Sequence, residues 1–318
     1  MFENKNYEIM LGDCIESLKK LDDNSIDMVA TDPPYFFLGM DEGWDEAELK
    51  VAREEFLNKN QEKWNKFGNF YLEGFLGNKK GGGTYGSAKT IKFQEFMKNV
   101  SDEIFRVLKP GSFYFAFSQP RMVHRAMLGI EDAGFYLREL MIWYHPNGSP
   151  FRAGSLARAV EKSDRDEETK KDMINKMGNL KTPMPAVLYE PIVFAQKPPE
   201  GSLMENYAKW GVGLMELNRD AGGQLPSNVF YFSKPLGEHR KEKYNIHPTV
   251  KPIELMEYLI NTFSKKGDII LDPFLGSGTT VVAALNRGRK GIGMELNEEY
   301  IAIAERRIKE SLQITRLF

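Results

Sequence analysis

The sequence predicts a doubly wound α/β domain on a seven-stranded, mostly parallel sheet, and three observations predict it. Short β-branched or aromatic runs alternate with longer helical patterns. Two turn motifs, one rich in proline and one in glycine, each follow an apolar strand directly. No internal repeat or low-complexity tract competes with a single wound domain. At 318 residues the chain has room for such a sheet with excursions. Its 42% hydrophobic and 28% charged content is ordinary for a globular protein, which removes disorder as the default reading.

The expected strands are Tyr7–Leu11, Ile26–Thr31, Ser112–Ser118, Arg138–Tyr144, Val187–Gln196, Asp268–Leu271 and Lys290–Glu295. Between them helices are expected at about Cys14–Leu21, Phe93–Leu108, Arg121–Ala133, Pro252–Phe263, Thr279–Asn286 and Glu298–Ser311. The punctuation agrees: Lys109-Pro-Gly stops one helix after Leu108, and Gly134 and Gly288 close two others. Two stretches fall outside this scheme. Residues 36–92 pass from an acidic helical patch into a glycine-rich loop, and residues 197–246 are rich in proline, glycine and polar groups with little periodicity. Long irregular segments inside a compact domain are usually functional or disordered.

The chain opens without a basic segment followed by an apolar one, and it has no apolar run long enough to span a bilayer. A cytoplasmic protein with no membrane partner is therefore expected. The single cysteine, Cys14, excludes an internal disulfide and a cysteine-built zinc site. His124, His145, His239 and His247 show no metal-ligand spacing, so no metal is expected. The net charge of -2 argues against a nucleic-acid partner if taken as a whole. Binding uses a face, however, and Lys234, Arg240, Lys241, Lys243 and Lys251 are opposed only by Glu238 and Glu242. A second basic run through Arg152, Arg158, Lys162 and Arg165 is diluted by neighbouring acids. The bland reading of either run alone is a solvated loop.

The strongest local signal is Thr31-Asp-Pro-Pro-Tyr35 after the apolar strand ending at Ala30. Open α/β sheets place their ligands at the carboxyl ends of strands. An aromatic amine is a poor nucleophile because its lone pair is delocalised into the ring, so a site that alkylates it must supply acceptors for both amino hydrogens. Asp32 offers a carboxylate, and Pro33 a backbone carbonyl aimed by the rigid turn that Pro34 extends. Tyr35 offers a flat face for a base, worth roughly 1–3 kcal/mol in stacking. The bland alternative is a strand-end turn whose aspartate caps a helix.

The partner motif, Asp272-Pro-Phe-Leu-Gly-Ser-Gly-Thr-Thr280, joins a strand to a helix. Gly276 and Gly278 let backbone approach a ligand. No lysine follows the second glycine, so the turn is not a phosphate-binding P-loop. Gly291-Ile-Gly-Met-Glu295 follows at the distance where an acid grips ribose hydroxyls, and Glu295 is the candidate; its bland reading is a carboxylate at a helix start.

In their chain order TDPPY, HPTVKP at His247–Pro252, DPFLGSGTT and GMEL resemble the DNA amino-methyltransferases in the beta arrangement, where the catalytic motif precedes the cofactor motif. The resemblance covers Tyr7–Tyr35, roughly Phe93–Gln196 and His247–Arg307. It implies a Rossmann-like methyltransferase fold, circularly permuted, with an inserted target-recognition region. Residues 1–35 and 93–196 would form the catalytic half, 36–92 an insertion, 197–246 the target-recognition region and 247–318 the cofactor half.

S-adenosyl-L-methionine is the implied cofactor and double-stranded DNA the implied partner. A homodimer and a cognate restriction endonuclease are further partners that relatives of this kind suggest. The resemblance assigns Asp32, Pro33, Pro34 and Tyr35 to catalysis. To the cofactor it assigns Asp13, Cys14, Ile15, His247, Thr249, Lys251, Asp272, Phe274, Gly276, Ser277, Gly278, Thr279, Thr280, Glu295 and Leu296, with Thr249 and Lys251 near its methionine end. HPTVKP also reads as a plain helix start with proline near its first turn.

Aspartate at the first motif position favours N6 of adenine as the methylated atom, with N4 of cytosine as the alternative. An RNA or protein methyltransferase of the same fold and a silent DNA-binding module are more distant readings. Candidate DNA contacts are Arg152, Trp210, Arg219, Asn228, Lys234, Arg240 and Lys241, of types that pair with bases or phosphates; a polar surface loop would read the same. Trp143 reads as core. The chain departs from many relatives in Phe36-Phe37 and in the length of 36–92.

Overall fold

The computed structural model describes residues 6–34, 87–145, 157–180, 185–217, 226–233 and 250–315. Its strands are β1 (Tyr7–Leu11), β2 (Ile26–Thr31), β3 (Leu108–Phe117), β4 (Tyr136–Tyr144), β5 (Tyr189–Gln196), β6 (Val229–Tyr231), β7 (Ile269–Asp272) and β8 (Lys290–Glu295). They form one eight-stranded sheet in the order β1-β8-β7-β2-β3-β5-β4-β6. All pairings are parallel except those of β5, which runs antiparallel to both β3 and β4. The helices are α1 (Cys14–Leu18), α2 (Ser87–Val107), α3 (Val123–Asp132), α4 (Ala157–Glu161), α5 (Glu167–Met177), α6 (Leu203–Trp210), α7 (Ile253–Phe263), α8 (Thr279–Asn286) and α9 (Glu298–Thr315).

The core lies on both faces of the sheet. All six residues of β2 are buried, as a central parallel strand covered on both sides requires. Side chains alternate across a strand, so Val29 packs with Met97, Ile104 and Ile130 of α2 and α3. Met28 and Ala30 face the other way, onto Leu255, Leu259 and Phe263 of α7. On that second face Phe115 stacks on Phe194 at 4.8 Å between ring centroids, and Phe263 closes the cluster at 4.7 Å from Phe115.

The doubly wound α/β class expected from the sequence is the class the chain adopts, with one strand more than expected. The eighth, β6, is an edge strand of three residues inside the stretch read as irregular, too short for any alternation to register. That stretch also contains α6, whose start carries a reciprocal cap. The Ser202 hydroxyl accepts from Glu205 N–H and the Glu205 carboxylate accepts from Ser202 N–H. The Ser-x-x-Glu spacing is a helix-start signature that the sequence reading passed over. Helix α5 buries none of its residues and so shows no apolar stripe to detect.

The Lys-Pro-Gly punctuation also acts differently from expectation. Strand β3 begins at Leu108 itself, straight from α2, and Gly111 lies within it at φ +82°. A Cβ there would come 2.3 Å from the Asn206 amide nitrogen, which donates to the Pro110 carbonyl. Close approach of α6 to the start of β3 is what demands glycine.

At the other end of the sheet, Trp143 on β4 is fully buried among the residues under α7, and its indole N–H donates to the Phe232 carbonyl at 2.7 Å. That bond ties the edge strand β6 to the core. Trp143→Ala is expected to lower unfolding free energy by about 3–5 kcal/mol in urea titration, the usual loss for emptying a buried aromatic site.

Candidate active site

The proline turn leaves the carboxyl end of β2 and the glycine turn leaves that of β7, and these two strands are hydrogen-bonded neighbours. The Thr31 hydroxyl donates to one oxygen of Asp272 at 2.5 Å, so the last residue of one strand is bonded to the last residue of the other. The Thr280 hydroxyl donates to the second Asp272 oxygen at 2.6 Å, and the Phe274 N–H to the first at 3.1 Å. Burial pushes the Asp272 carboxyl up, from an ordinary 3.8 to about 6. The hydroxyls of Thr280 and Thr31 and the Phe274 N–H oppose that push, and the Asp32 charge adds to it.

The glycine turn itself is built for close approach. Gly278 stands at φ +85° just before α8, where a Cβ would come 2.9 Å from that of Ala304. Behind the turn, the buried guanidinium of Arg307 on α9 donates to the Ser277 carbonyl at 2.7 Å and the Thr279 hydroxyl at 3.0 Å. Arg307 went unassigned in the sequence because nothing local marks a helical arginine as facing inward.

The neighbouring strand ends complete a wall. In register, Leu11 of β1 pairs with Glu295 of β8, and Gly293 of β8 with Asp272 of β7. Asp13, Glu295 and Asp272 therefore follow one another along the carboxyl edge. Glu295 accepts from Gly276 N–H at 2.8 Å with one oxygen and from the Leu296 and Asn297 N–H groups with the other. It thus braces the glycine turn and also meets the start of α9. Asp13 caps α1 by accepting from the Ile15 and Glu16 N–H groups. Cys14 is buried, and burial followed by the nearby Asp13 charge pushes its thiol up to about 12. A thiol so placed is not ionised near neutrality and supplies no nucleophile.

A turn that lacks side chains at Gly276 and Gly278, partly buried faces from Ile15 and Phe274 and two rim acids fit an adenosyl group with a ribose. Ser277 and Thr279 are buried in the turn, while Leu296 is exposed just beyond it.

On the other side of the proline turn lies a cluster of charge. The buried Lys251 ammonium donates to Oδ2 of Asp32 and stands 3.6 Å from an oxygen of Glu190 on β5. It also lies 5.2 Å from the ring centre of Phe117, the last residue of β3. Burial pulls the Lys251 ammonium down, but Asp32 and then Glu190 outweigh it and hold the group above its ordinary value. The sequence reading set Lys251 in the segment beside the cofactor's methionine end; the structure places its ammonium against Asp32 of the proline turn. Glu190 was missed, although an acid inside the apolar strand Tyr189–Gln196 is a signal in itself. The other Glu190 oxygen is 3.9 Å from Nε2 of the buried His145.

Pro33 is buried and Pro34 half-buried at the turn. Tyr35, Arg152, Arg219, Lys234, Arg240, Lys241, His247 and Thr249 lie outside the described residues. Asn228 is exposed at the start of β6, with its carbonyl accepting from Ile142 N–H. Trp210 is not brought to the site. Its indole N–H donates to Glu200, and its helix α6 packs on Pro110 and Gly111, at the amino edge of the sheet, opposite the two turns.

A model of the DNA methylase family matches residues 26–306. The chain is similar to Type II methyltransferase M.HindIII of Haemophilus influenzae, with 31% identity over 301 residues that cover 93% of each protein. Among solved structures it is similar to the M1.HpyAVI–SAM complex, at 19% identity and a TM-score of 0.52, covering 95% of this chain and 98% of that one. It is also similar to the cytosine-N4-specific PvuII DNA methyltransferase, at 17% identity and a TM-score of 0.56, covering 99% of this chain and 95% of that one. At such identities the likeness to the two structures is one of fold.

The raised Asp272 carboxyl gives a measurable pH dependence. Between about pH 4 and pH 6 the folded chain holds a proton at this group that the unfolded chain has lost. Its contribution to stability is complete below that window and falls as pH rises through it. Asp272→Asn is expected to flatten this part of the stability–pH curve, read from denaturant midpoints at each pH.

Proposed function

The chain belongs to the DNA methylase family, and from that premise we propose that it transfers a methyl group from S-adenosyl-L-methionine to N6 of an adenine turned out of double-stranded DNA. The observation that carries the reading is the Thr31–Asp272 hydrogen bond, because it fixes the proline turn and the glycine turn side by side on adjacent strands. Occupants of two such turns meet directly.

When bound, the cofactor supplies a methyl carbon already activated by the sulfonium that carries it. The chain's own work is then positioning, which can contribute on the order of 7–11 kcal/mol. Gly276 and Gly278 admit the cofactor to the turn, Glu295 and Asp13 offer acceptors at its rim, and Phe274 and Ile15 offer apolar contact. Asp32 and the Pro33 carbonyl accept the two amino hydrogens and draw the nitrogen lone pair out of conjugation. Lys251 fixes the Asp32 carboxylate through one oxygen. Tyr35 stacks on the extruded base.

Unstacking the target costs a few kcal/mol, which phosphate contacts from the basic stretch 234–251 offset. Arg152, Arg219, Lys234, Arg240 and Lys241 are proposed DNA contacts, with Asn228. Within 197–246, the stretch assigned to target recognition, β6 runs parallel to β4 and ends at the carboxyl edge, whereas α6 packs at the amino edge. The halves 1–35 with 93–196 and 247–318 serve catalysis and cofactor respectively. Similarity to a Type II methyltransferase supports a cognate restriction endonuclease as partner and a place in the cytoplasm. A homodimer completes the reading, and sedimentation would test it.

Expressed in a host free of DNA methylation, the chain should leave N6-methyladenine in one sequence context, read by modified-base sequencing. N4-methylcytosine would move the reading to cytosine, and unmodified DNA would overturn it. Asp32→Ala should slow methyl transfer by roughly 100- to 1000-fold or more, the scale for loss of one positioned polar partner. Cofactor affinity, measured by calorimetry, should hardly change; an equal loss of both would count against the role given to Asp32.

A further inference from the structure

The outer strands of the sheet carry a feature that the two turns do not use. On one rung of the ladder Tyr189 of β5 pairs with Tyr144 of β4, and Tyr144 pairs with Tyr231 of β6. Two residues further in along each strand, Pro191, Ile142 and Val229 are matched in the same way. Alternation of side chains fixes the face on which all six lie. Trp143 and Phe230 pack under α7, so their neighbours Tyr144 and Tyr231 project from the opposite face. Tyr189 projects with them, since Val193, four residues further along β5, packs on the α2 and α3 side.

Tyr189, Tyr144 and Tyr231 are 37%, 40% and 57% exposed. The rings of Tyr144 and Tyr231 meet at 6.4 Å between centroids, tilted by 50°. Cross-strand aromatic contact steadies a sheet edge, but that role is served by burying rings against each other, and these stay open to solvent. A contiguous exposed aromatic patch marks a surface that meets a partner.

Position and charge name the partner. Strands lie about 4.8 Å apart, so the order β2-β3-β5-β4-β6 puts the three tyrosines about 10, 14 and 19 Å from the strand that carries the proline turn, along the same carboxyl edge. One strand of a duplex advances about 3.4 Å along the axis per nucleotide, so the row spans about three nucleotides beside an extruded base. The six side chains include no carboxylate, in a chain of net charge -2, so phosphates meet no repulsion from the plate itself. Tyrosine rings offer flat contact to sugars, and their hydroxyls donate to phosphate oxygens. The Tyr231 hydroxyl lies 3.2 Å from that of Ser233; whichever donates to the other, one O–H is left for a phosphate.

We propose that Tyr189, Tyr144 and Tyr231 form a docking plate for the duplex flanking the target base, holding the DNA backbone while the base occupies the proline turn. The inference rests on the reading of this chain as a DNA methyltransferase, and the experiment separates the two. Tetranitromethane nitrates exposed tyrosine rings, and peptide mass spectrometry reports each position. The wild-type chain, bound to S-adenosylhomocysteine, is nitrated with and without a duplex carrying the sequence context it methylates. The duplex should cut nitration of Tyr144 and Tyr231 by about 5-fold or more, as for rings withdrawn from solvent at an interface. Tyr136, 54% exposed at the opposite end of β4, should react equally in both samples. In parallel, Tyr144→Ala and Tyr231→Ala should each weaken duplex binding by about 10-fold, the weight of one well-packed interface side chain. The dependence of affinity on salt should keep the wild-type slope, because a neutral side chain releases no counterions. Cofactor affinity should be unchanged.

A bound duplex that leaves these tyrosines as reactive as before, or folded alanine variants that bind it as wild type does, would overturn the plate. Shielding that grows with protein concentration in the absence of DNA assigns the surface to a second copy of the chain and likewise overturns it. If thermal melts show that an alanine variant does not fold, the nitration pattern of the wild-type chain decides alone. A chain that methylates no DNA and binds no duplex brings down the functional reading, and the plate with it.

Discussion

The pairing of β2 with β7 is the constraint from which the rest of the site follows. Thr31 and Asp272 are 241 residues apart in sequence and bonded through their side chains. Neither turn could find the other through local structure. Their meeting depends on the sheet, in which the chain lays down an outer strand and then a central one, winds outward through β3, β4 and β5, and returns to fill β7 and β8 between β1 and β2. The buried carboxylate at that junction costs desolvation, and three hydrogen bonds hold it in place. Satisfying those donors requires the helix that follows the glycine turn and the strand that precedes the proline turn to be in register together. The glycine turn and the proline turn are therefore one folded unit.

Much of this was legible in the chain itself, for physical reasons that vary by element. Strands β1, β2 and β8 and helix α8 have the residue limits expected from pattern, because apolar runs there end at glycine, proline or charge. Helix α1 stops three residues sooner than expected, and α9 runs four residues longer. Strand β6 escaped because three residues cannot display a period, and α5 because a helix with no buried face has no stripe. The capping box of α6 was present but unaccompanied by a clear apolar repeat.

Side-chain partnerships divide in the same way. Motifs revealed which residues would cluster at the carboxyl edge, since a turn after a strand announces its own position. They did not reveal pairings between motifs, such as Lys251 with Asp32 and Glu190, because an ion pair across distant strands leaves no local trace. Trp210 shows the converse. An aromatic residue in a polar segment suggests base stacking, yet its helix is fastened to the start of β3 by Asn206, on the far edge. Residue type speaks for contact with a base, and topology sets the ring away from the two turns.

The reversed direction of β5 has an architectural corollary. Tyr144 at the end of β4 and Tyr189 at the start of β5 are paired across the ladder, so the excursion between them, with α4 and α5, departs and returns at a single rung on the carboxyl edge. The sheet imposes no span that this excursion must bridge. Changes in its length would leave Glu190 where the ladder sets it, opposite Trp143, because the register of β4 with β5 alone fixes that position.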